Sequence, residues 1–411
     1  MLKKIDVTQL RVGMYVDELC SSWLGTPFWR KSFMLDDLAS IDKIKKNMIQ
    51  EAWINTSKGL DVLLEQAVAD LPPLAIKIPA AKTDFNEIAS LSMDEEIGRA
   101  AKIVDKTKQA VISMFNEARM GKAVDADNAM SLVEEIASSV MRNPGALIGL
   151  ARLKTADDYT YMHSVAVCAL MIALSRQVGF DDEKTREAGL AGLLHDIGKM
   201  AVSANILNKP GKLTDDEFTA IMEHPGAGHE MLLKATGIGA ATLDVCLHHH
   251  EKIDGTGYPE RLSGDQISMY ARMGAVCDVY DAITSNRPYK LGWCPAESLQ
   301  KMAEWSKGHF DEAVFHAFVK SIGIYPVGTL VRLESGRLGV VVEQQTEKSM
   351  LLPKVRIFFS TKSMTYIKPE LLDLANPAST DKIAAREDPG SWGVGDISHY
   401  WLGDLAHRAK A

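Results

Sequence analysis

Ala191-Gly-Leu-Leu-His195-Asp196-Ile-Gly-Lys199 is the stretch that decides how this chain reads. An apolar helical turn runs straight into an imidazole and a carboxylate, then a glycine and a lysine. Buried without partners, such a pair costs free energy or shifts its pKa to escape. A metal ion satisfies both side chains at once. The same chemistry recurs on either side. His163 lies mid-helix among Val165, Val167 and Leu170, His224 precedes Pro225, His249-His250 ends a helix, and Asp278 sits within Ala275-Val-Cys-Asp-Val-Tyr-Asp281. Taken singly, His163 reads as a core histidine, His224 as a cap, the His248-His249-His250 run as a solvated face and Asp278 as a partner of Arg272. Taken together they come from separate helical segments, which is how bundles build metal centres. The imidazoles of His163, His195, His224, His249 and His250 with the carboxylates of Asp196 and Asp278, and no thiol, exceed the needs of one ion. They suit a pair of divalent first-row metals sharing a carboxylate. His229, His248, His309, His316, His399 and His407 receive no role.

Outward from this stretch, residues 155–325 carry helical periodicity almost throughout, with segments such as Asp182–Leu194 and a Thr214-Asp-Asp-Glu217 capping box. Residues 91–154 form a helical connector that opens on a Ser92-Met-Asp-Glu95 capping box. Its helices either pack as an antiparallel hairpin against the bundle or mediate a homodimer. Residues 71–90 hold the proline-rich linker, and residues 1–70 mix strand-like Leu10–Val16 and Ala52–Thr56 with a helix over Ser40–Met48. The aromatics there (Trp23, Phe28, Trp29, Phe33) read as core or interface. After Tyr325-Pro326 the pattern turns to alternation over 326–372. The Pro/Gly/Ser/Asp-rich tail, 373–411, is expected to be partly disordered until Trp401. The fold class is mainly α, with a small α+β N-terminal domain and a short β-rich C-terminal extension.

Composition bounds the function. With 411 residues, 46% hydrophobic and 24% charged, the chain is ordinary globular protein. A net charge of −8 with no long Lys/Arg block argues against wrapping a nucleic acid polymer. The longest apolar run, Val165–Leu174, is too short to span a bilayer, and the N-terminus lacks a signal peptide's apolar core. Five scattered cysteines without a Cys-x-x-Cys read as reduced thiols. The expectation is a cytoplasmic protein that does not engage membranes.

Directly after His249-His250-Glu251 comes Asp254-Gly-Thr-Gly257-Tyr258-Pro259, where glycines permit close backbone approach. Asp278 and Asp281 stand three apart on one helical face, followed by Arg287 and Lys290. With Lys199, these cations beside a metal pair are what a phosphodiester requires.

These motifs, in this order, resemble the HD-GYP family of bacterial cyclic di-GMP phosphodiesterases over about Thr155–Gly323, and the segment before Asp70 resembles a domain of unknown function often found ahead of them. The resemblance implies an HD-type bundle and places His163, His195, Asp196, His224, His249, His250 and Asp278 as ligands of two ions, Fe or Mn, with Asp196 as the bridge. Lys199, Asp281, Arg287 and Lys290 stand where the family contacts phosphates or supports the site, so that Asp196 and Lys199 are the catalytic candidates. Gly257-Tyr258-Pro259 matches the naming triplet, a loop associated with the site and with contacts to diguanylate cyclase (GGDEF) domains. One departure matters: Tyr159 replaces the Glu with which some members hold a third metal, which implies linear pGpG as the main product. A phosphohydrolase of another nucleotide and a non-catalytic cyclic di-GMP receptor are the rival readings.

Overall fold

The computed structural model describes residues 2–20, 32–46, 49–60, 84–153, 159–207, 209, 211–285, 292–345, 349–403 and 405. The chain divides into two compact units, Met1–Leu71 and Pro72–Ala411.

In the first unit, strands β1 (Leu2–Asp6), β2 (Tyr15–Cys20), β3 (Phe33–Met34) and β4 (Glu51–Asn55) form an antiparallel sheet in the order β1-β4-β2-β3, with helix α1 (Leu38–Lys46) between β3 and β4. Along β4 the alternation is strict: Ala52 and Ile54 are buried and Glu51 and Trp53 face outward. Ile41 and Ile44 of α1 join the same core. The strand expected over Leu10–Val16 begins only at Tyr15. Gly13, at φ +93°, turns the chain first. Phe33 packs partly buried against the core, whereas Trp23, Phe28 and Trp29 lie outside the described residues.

The second unit is a helical bundle. Helices α2 (Met93–Arg119), α3 (Ala126–Arg142) and α4 (Pro144–Arg152) precede α5 (Tyr159–Gln177), whose residues Met162–Ser175 are all buried. Such a helix shows no amphipathic stripe because every face meets protein. Ile97, Val104 and Phe115 of α2 and Leu132 and Ile136 of α3 share one core with Val165 of α5 and Leu193 of α6 (Asp182–Leu194). The apolar faces of the connector helices are therefore spent inside the bundle. A buried clasp locks α2 to α3: Glu96 accepts Arg142 Nε at 2.6 Å, Arg142 Nη2 at 2.8 Å and Ser139 Oγ at 2.7 Å. Gly192 lets α6 cross α5 closely, since a Cβ there would stand 3.0 Å from the Cys168 backbone.

A 3-10 turn (Ile197–Ala201) and α7 (Ala204–Leu207) lead to α8 (Asp215–Met222), α9 (His224–Leu233), α10 (Ala240–His248) and α11 (Met269–Thr284), followed by α12 (Pro295–His309) and α13 (Glu312–Ile322). Among the described residues no helix is long and apolar enough to cross a membrane.

An antiparallel sheet closes the unit, in the order β8-β7-β6-β5-β9, from β5 (Leu330–Leu333), β6 (Arg337–Glu343), β7 (Lys354–Ser360), β8 (Thr365–Asp373) and β9 (Ile383–Arg386). The tail departs from expectation here. Instead of running unstructured from 373 to Trp401, it pairs Val331 of β5 with Arg386, then forms α14 (Pro389–Trp392) and α15 (His399–Leu402). Trp401 is buried on Gly149 of α4, where a Cβ would stand 2.9 Å from its ring. A short, half-buried edge strand such as Ile-Ala-Ala-Arg carries almost no alternation to read.

Candidate metal centre and substrate pocket

Four histidines enter the site with one ring nitrogen already committed. His195, which ends α6, donates from Nδ1 to the Gly192 carbonyl at 2.8 Å. His224, at the start of α9, donates to Ile221 O at 2.7 Å, and His249, which ends α10, donates to Val245 O at 2.9 Å. On α5, His163 Nδ1 meets Asp281 Oδ2 of α11 at 2.6 Å. A carbonyl only accepts, so His195, His224 and His249 each carry a proton on Nδ1 and turn Nε2 inward.

Those inward atoms converge on carboxylates. His163 Nε2 lies 2.9 Å from Asp278 Oδ1 and 3.4 Å from Asp196 Oδ2. Asp196 faces two ways: Oδ2 stands 3.4 Å from His195 Nε2, and Oδ1 stands 3.2 Å from His224 Nε2 and 3.8 Å from His249 Nε2. His250 Nδ1 is 3.8 Å from Asp278 Oδ2. The seven residues thus gather into three overlapping groups: His163, His195 and Asp278; His195, Asp196 and His249; His224, His249 and His250.

The donor set fits divalent cations. His195 Nε2 and Asp196 Oδ1 are buried with no hydrogen-bond partner. Two imidazole nitrogens, His224 Nε2 and His249 Nε2, face each other at 3.2 Å with lone pairs opposed. A cation relieves both defects. Titration at His249 and His250 agrees. Burial, reinforced by neighbouring imidazoles, holds His249 well below the usual histidine range, and burial brings His250 down to about 3. His195 runs the other way: burial works against its charge, but the Asp196 and Asp278 carboxylates outweigh it and raise that group to about 10, so its Nε2 holds a proton that a bound cation must displace. Burial opposes ionisation of Asp196, yet Lys199 and His195 hold it well below the carboxylate range.

Lys199, on the 3-10 turn, pairs with Asp196 Oδ2. Gly198 allows that turn to dock: a Cβ would lie 1.9 Å from the His224 carbonyl oxygen. Asp281 reaches His163 rather than open solvent, so it holds a proposed ligand in place. Tyr159 stacks on His163 with centroids 5.8 Å apart and planes 7° from parallel. Tyr258 stacks on His250 at 4.7 Å, and Pro259 follows it through a cis peptide. Gly257 has no space for a side chain, since a Cβ would stand 2.4 Å from Lys252 N. Arg287 and Lys290 lie outside the described residues. Arg272 does not pair with Asp278; it holds Asp311 at 2.7 Å and Asp265 at 3.1 Å.

Three residues escaped the sequence reading. Glu251 is buried, accepts Glu260 N at 2.7 Å and Leu262 N at 3.1 Å, and so bolts the Tyr258–Pro259 loop against α10. Asp244 accepts His248 Nδ1 at 2.7 Å and joins Ser268, the N-cap of α11, which ties together two ligand-bearing helices and keeps His248 out of the cluster. Only the adjacency of Glu251 to His249-His250 offered a signal.

A helical bundle that focuses imidazoles and carboxylates on one buried point is an HD-type metal-binding domain, and a family model described as HD domain matches residues 133–314. A second, described as a domain of unknown function (DUF3391), matches residues 2–129, reaching well past the first compact unit. The chain is 55% identical over 404 residues to a cyclic di-GMP phosphodiesterase of Pseudomonas aeruginosa, covering 98% of this chain and 96% of that protein. It is 39% identical over 154 residues to the cyclic di-GMP phosphodiesterase response regulator RpfG of Xanthomonas campestris, covering 35% of this chain and 39% of that one. Among solved structures, an HDG"Y"P protein of Bdellovibrio bacteriovorus, Bd1817, aligns with a TM-score of 0.46 at 17% identity, over 77% of this chain and 98% of that chain. The chain belongs to the HD-GYP family of cyclic di-GMP phosphodiesterases.

Proposed function

We propose that the protein hydrolyses cyclic di-GMP in the cytoplasm, mainly to linear pGpG, using two divalent ions, Fe or Mn, held by His163, His195, Asp196, His224, His249, His250 and Asp278. The observation that carries this reading is the two-way placement of Asp196, whose oxygens address separate histidine groups 3.2 Å and 3.4 Å away. Ions bound there supply Lewis acidity toward a phosphoryl oxygen and a nucleophile from water at neutral pH. The chain's own residues do the rest. Asp281 fixes the His163 ring, and the backbone carbonyls at 192, 221 and 245 fix three more. Lys199 offsets charge beside Asp196 and, with Arg287 and Lys290, meets the phosphates. Tyr258, stacked on His250, stands beside the metal ligands where it flanks a bound substrate. Tyr159 presents a neutral phenol where a third-ion carboxylate would stand, so a second cleavage to GMP is slow. The Gly257-Tyr258-Pro259 loop is the surface for diguanylate cyclase domains.

The test is a time course of metal-loaded protein with cyclic di-GMP, followed by chromatography, then repeated from pGpG. Accumulating pGpG with little GMP is expected. Binding without turnover would convert the reading to a receptor, and pGpG consumed as fast as cyclic di-GMP would overturn the Tyr159 argument.

A further inference from the structure

The bundle holds a second enclosure. A cavity of about 620 Å³ lies among α3, α4, α5, α11, α13 and the C-terminal end of β6, with Arg142, Arg152, Arg176, Tyr280, Lys320 and Gln344 on its wall. Its charges do not balance. Glu96 neutralises Arg142, Asp182 stands 3.8 Å from Arg176, and Glu343, also on the wall, is taken by Lys354 at 2.6 Å. Arg152 and Lys320 have no carboxylate partner among the described residues. Arg152 is nonetheless held in place: Nη2 donates to Val327 O at 3.0 Å, and Gly328, at φ +88°, clears the space, since a Cβ there would stand 2.5 Å from that nitrogen. Gln344 is tied back through Nε2 to the Tyr325 carbonyl. An apolar side is furnished by Leu91 and Ile148.

Partly buried cations without counter-charge call for an anion. We propose that this cavity is a second ligand site, separate from the metal centre, which takes a nucleoside di- or triphosphate. Its phosphates pair with Arg152 and Lys320, and its base lies on the apolar side formed by Leu91 and Ile148. The volume falls within the range of roughly 300–1,000 Å³ usual for small-molecule sites. The site bears on the chemistry through α11. Tyr280 lines the cavity, while Asp278, two residues earlier and so about 200° around the axis, faces the metal ligands.

The experiment is calorimetric titration of GTP, and separately ATP, into metal-loaded full-length protein. Micromolar binding of at least one is expected, weakened roughly tenfold or more in Arg152→Gln and in Lys320→Gln. Both variants should retain turnover of cyclic di-GMP in the absence of added nucleotide. Asp196→Ala, which damages the metal centre, should keep nucleotide binding. Silence of both nucleotides up to about 1 mM overturns the proposal. So does affinity unchanged in Lys320→Gln, a variant that carries the test even if Arg152→Gln fails to fold. Binding lost in Asp196→Ala would assign the nucleotide to the metal centre and equally overturn it.

Discussion

The two sides of α11 handle buried polar groups in opposite ways. Toward the metal centre, Asp278 and Asp281 meet the two nitrogens of a single ring, His163, and the surrounding imidazoles are anchored through backbone carbonyls. Four of the five imidazoles there have one nitrogen tied down and the other turned inward. Toward the cavity, Tyr280 packs edge-on against Phe318 at 5.1 Å, and the charged groups mostly satisfy one another, as Glu96 does for Arg142. The first arrangement is rigid before any ligand arrives. The second is a scaffold with a few unspent groups. Preorganisation of this kind is what lets ligands act without first being reoriented.

The strongest way to break the contrast is Asp196→Ala. Its carboxylate addresses both histidine groups, so metal content should fall from about two ions per chain to near zero and turnover by roughly a thousandfold or more. Metal analysis and chromatography read the two together; one tight ion with activity retained would show that Asp196 does not bridge.

Asp281→Asn tests the anchoring rather than the ligand. With the His163 ring no longer held by a carboxylate, metal affinity should drop roughly 10–100-fold while full occupancy is still reached at high metal. Competition against a chelator measures this, and unchanged affinity would make Asp281 a phosphate contact instead.

Glu251→Gln moves outward to the loop. One carboxylate oxygen becomes an amide donor facing a backbone N–H, a loss on the order of 1–3 kcal/mol. The KM for cyclic di-GMP should rise roughly tenfold with metal content intact. A change in kcat alone would mean that the loop does not form the substrate wall.

Across the helix, Tyr280→Phe keeps the ring packed on Phe318 and touches no proposed metal ligand. Turnover of cyclic di-GMP should stay within about twofold, given that changes away from such ligands are usually small. A larger loss would show that the two sides of α11 are not separable.

Much of this molecule was legible from residue order. The helix Asp182–Leu194 begins and ends where the sequence pattern places it, and the structure adds the Asp181 cap that accepts from Lys184 N. His163, His195, His224, His249, His250, Asp196 and Asp278 stood out because uncommon polar residues interrupt apolar helical pattern. By contrast, β8 and β9 were not legible: β8 is an exposed edge strand carrying Pro369, and β9 is too short for alternation to register.

What the sequence determined by itself was a list of chemical groups and the helices that carry them, since both depend on local pattern. It also carried enough ordered motifs to mark the family. What only the tertiary structure decided was how those groups divide the work. Asp281 sits on a ring 118 positions away, Glu251 spends its charge on two backbone N–H groups, and Arg152 meets a carbonyl 175 positions along the chain. Such pairings follow from how helices cross, and a crossing is set by packed volume over the whole core. No spacing within a single segment encodes it.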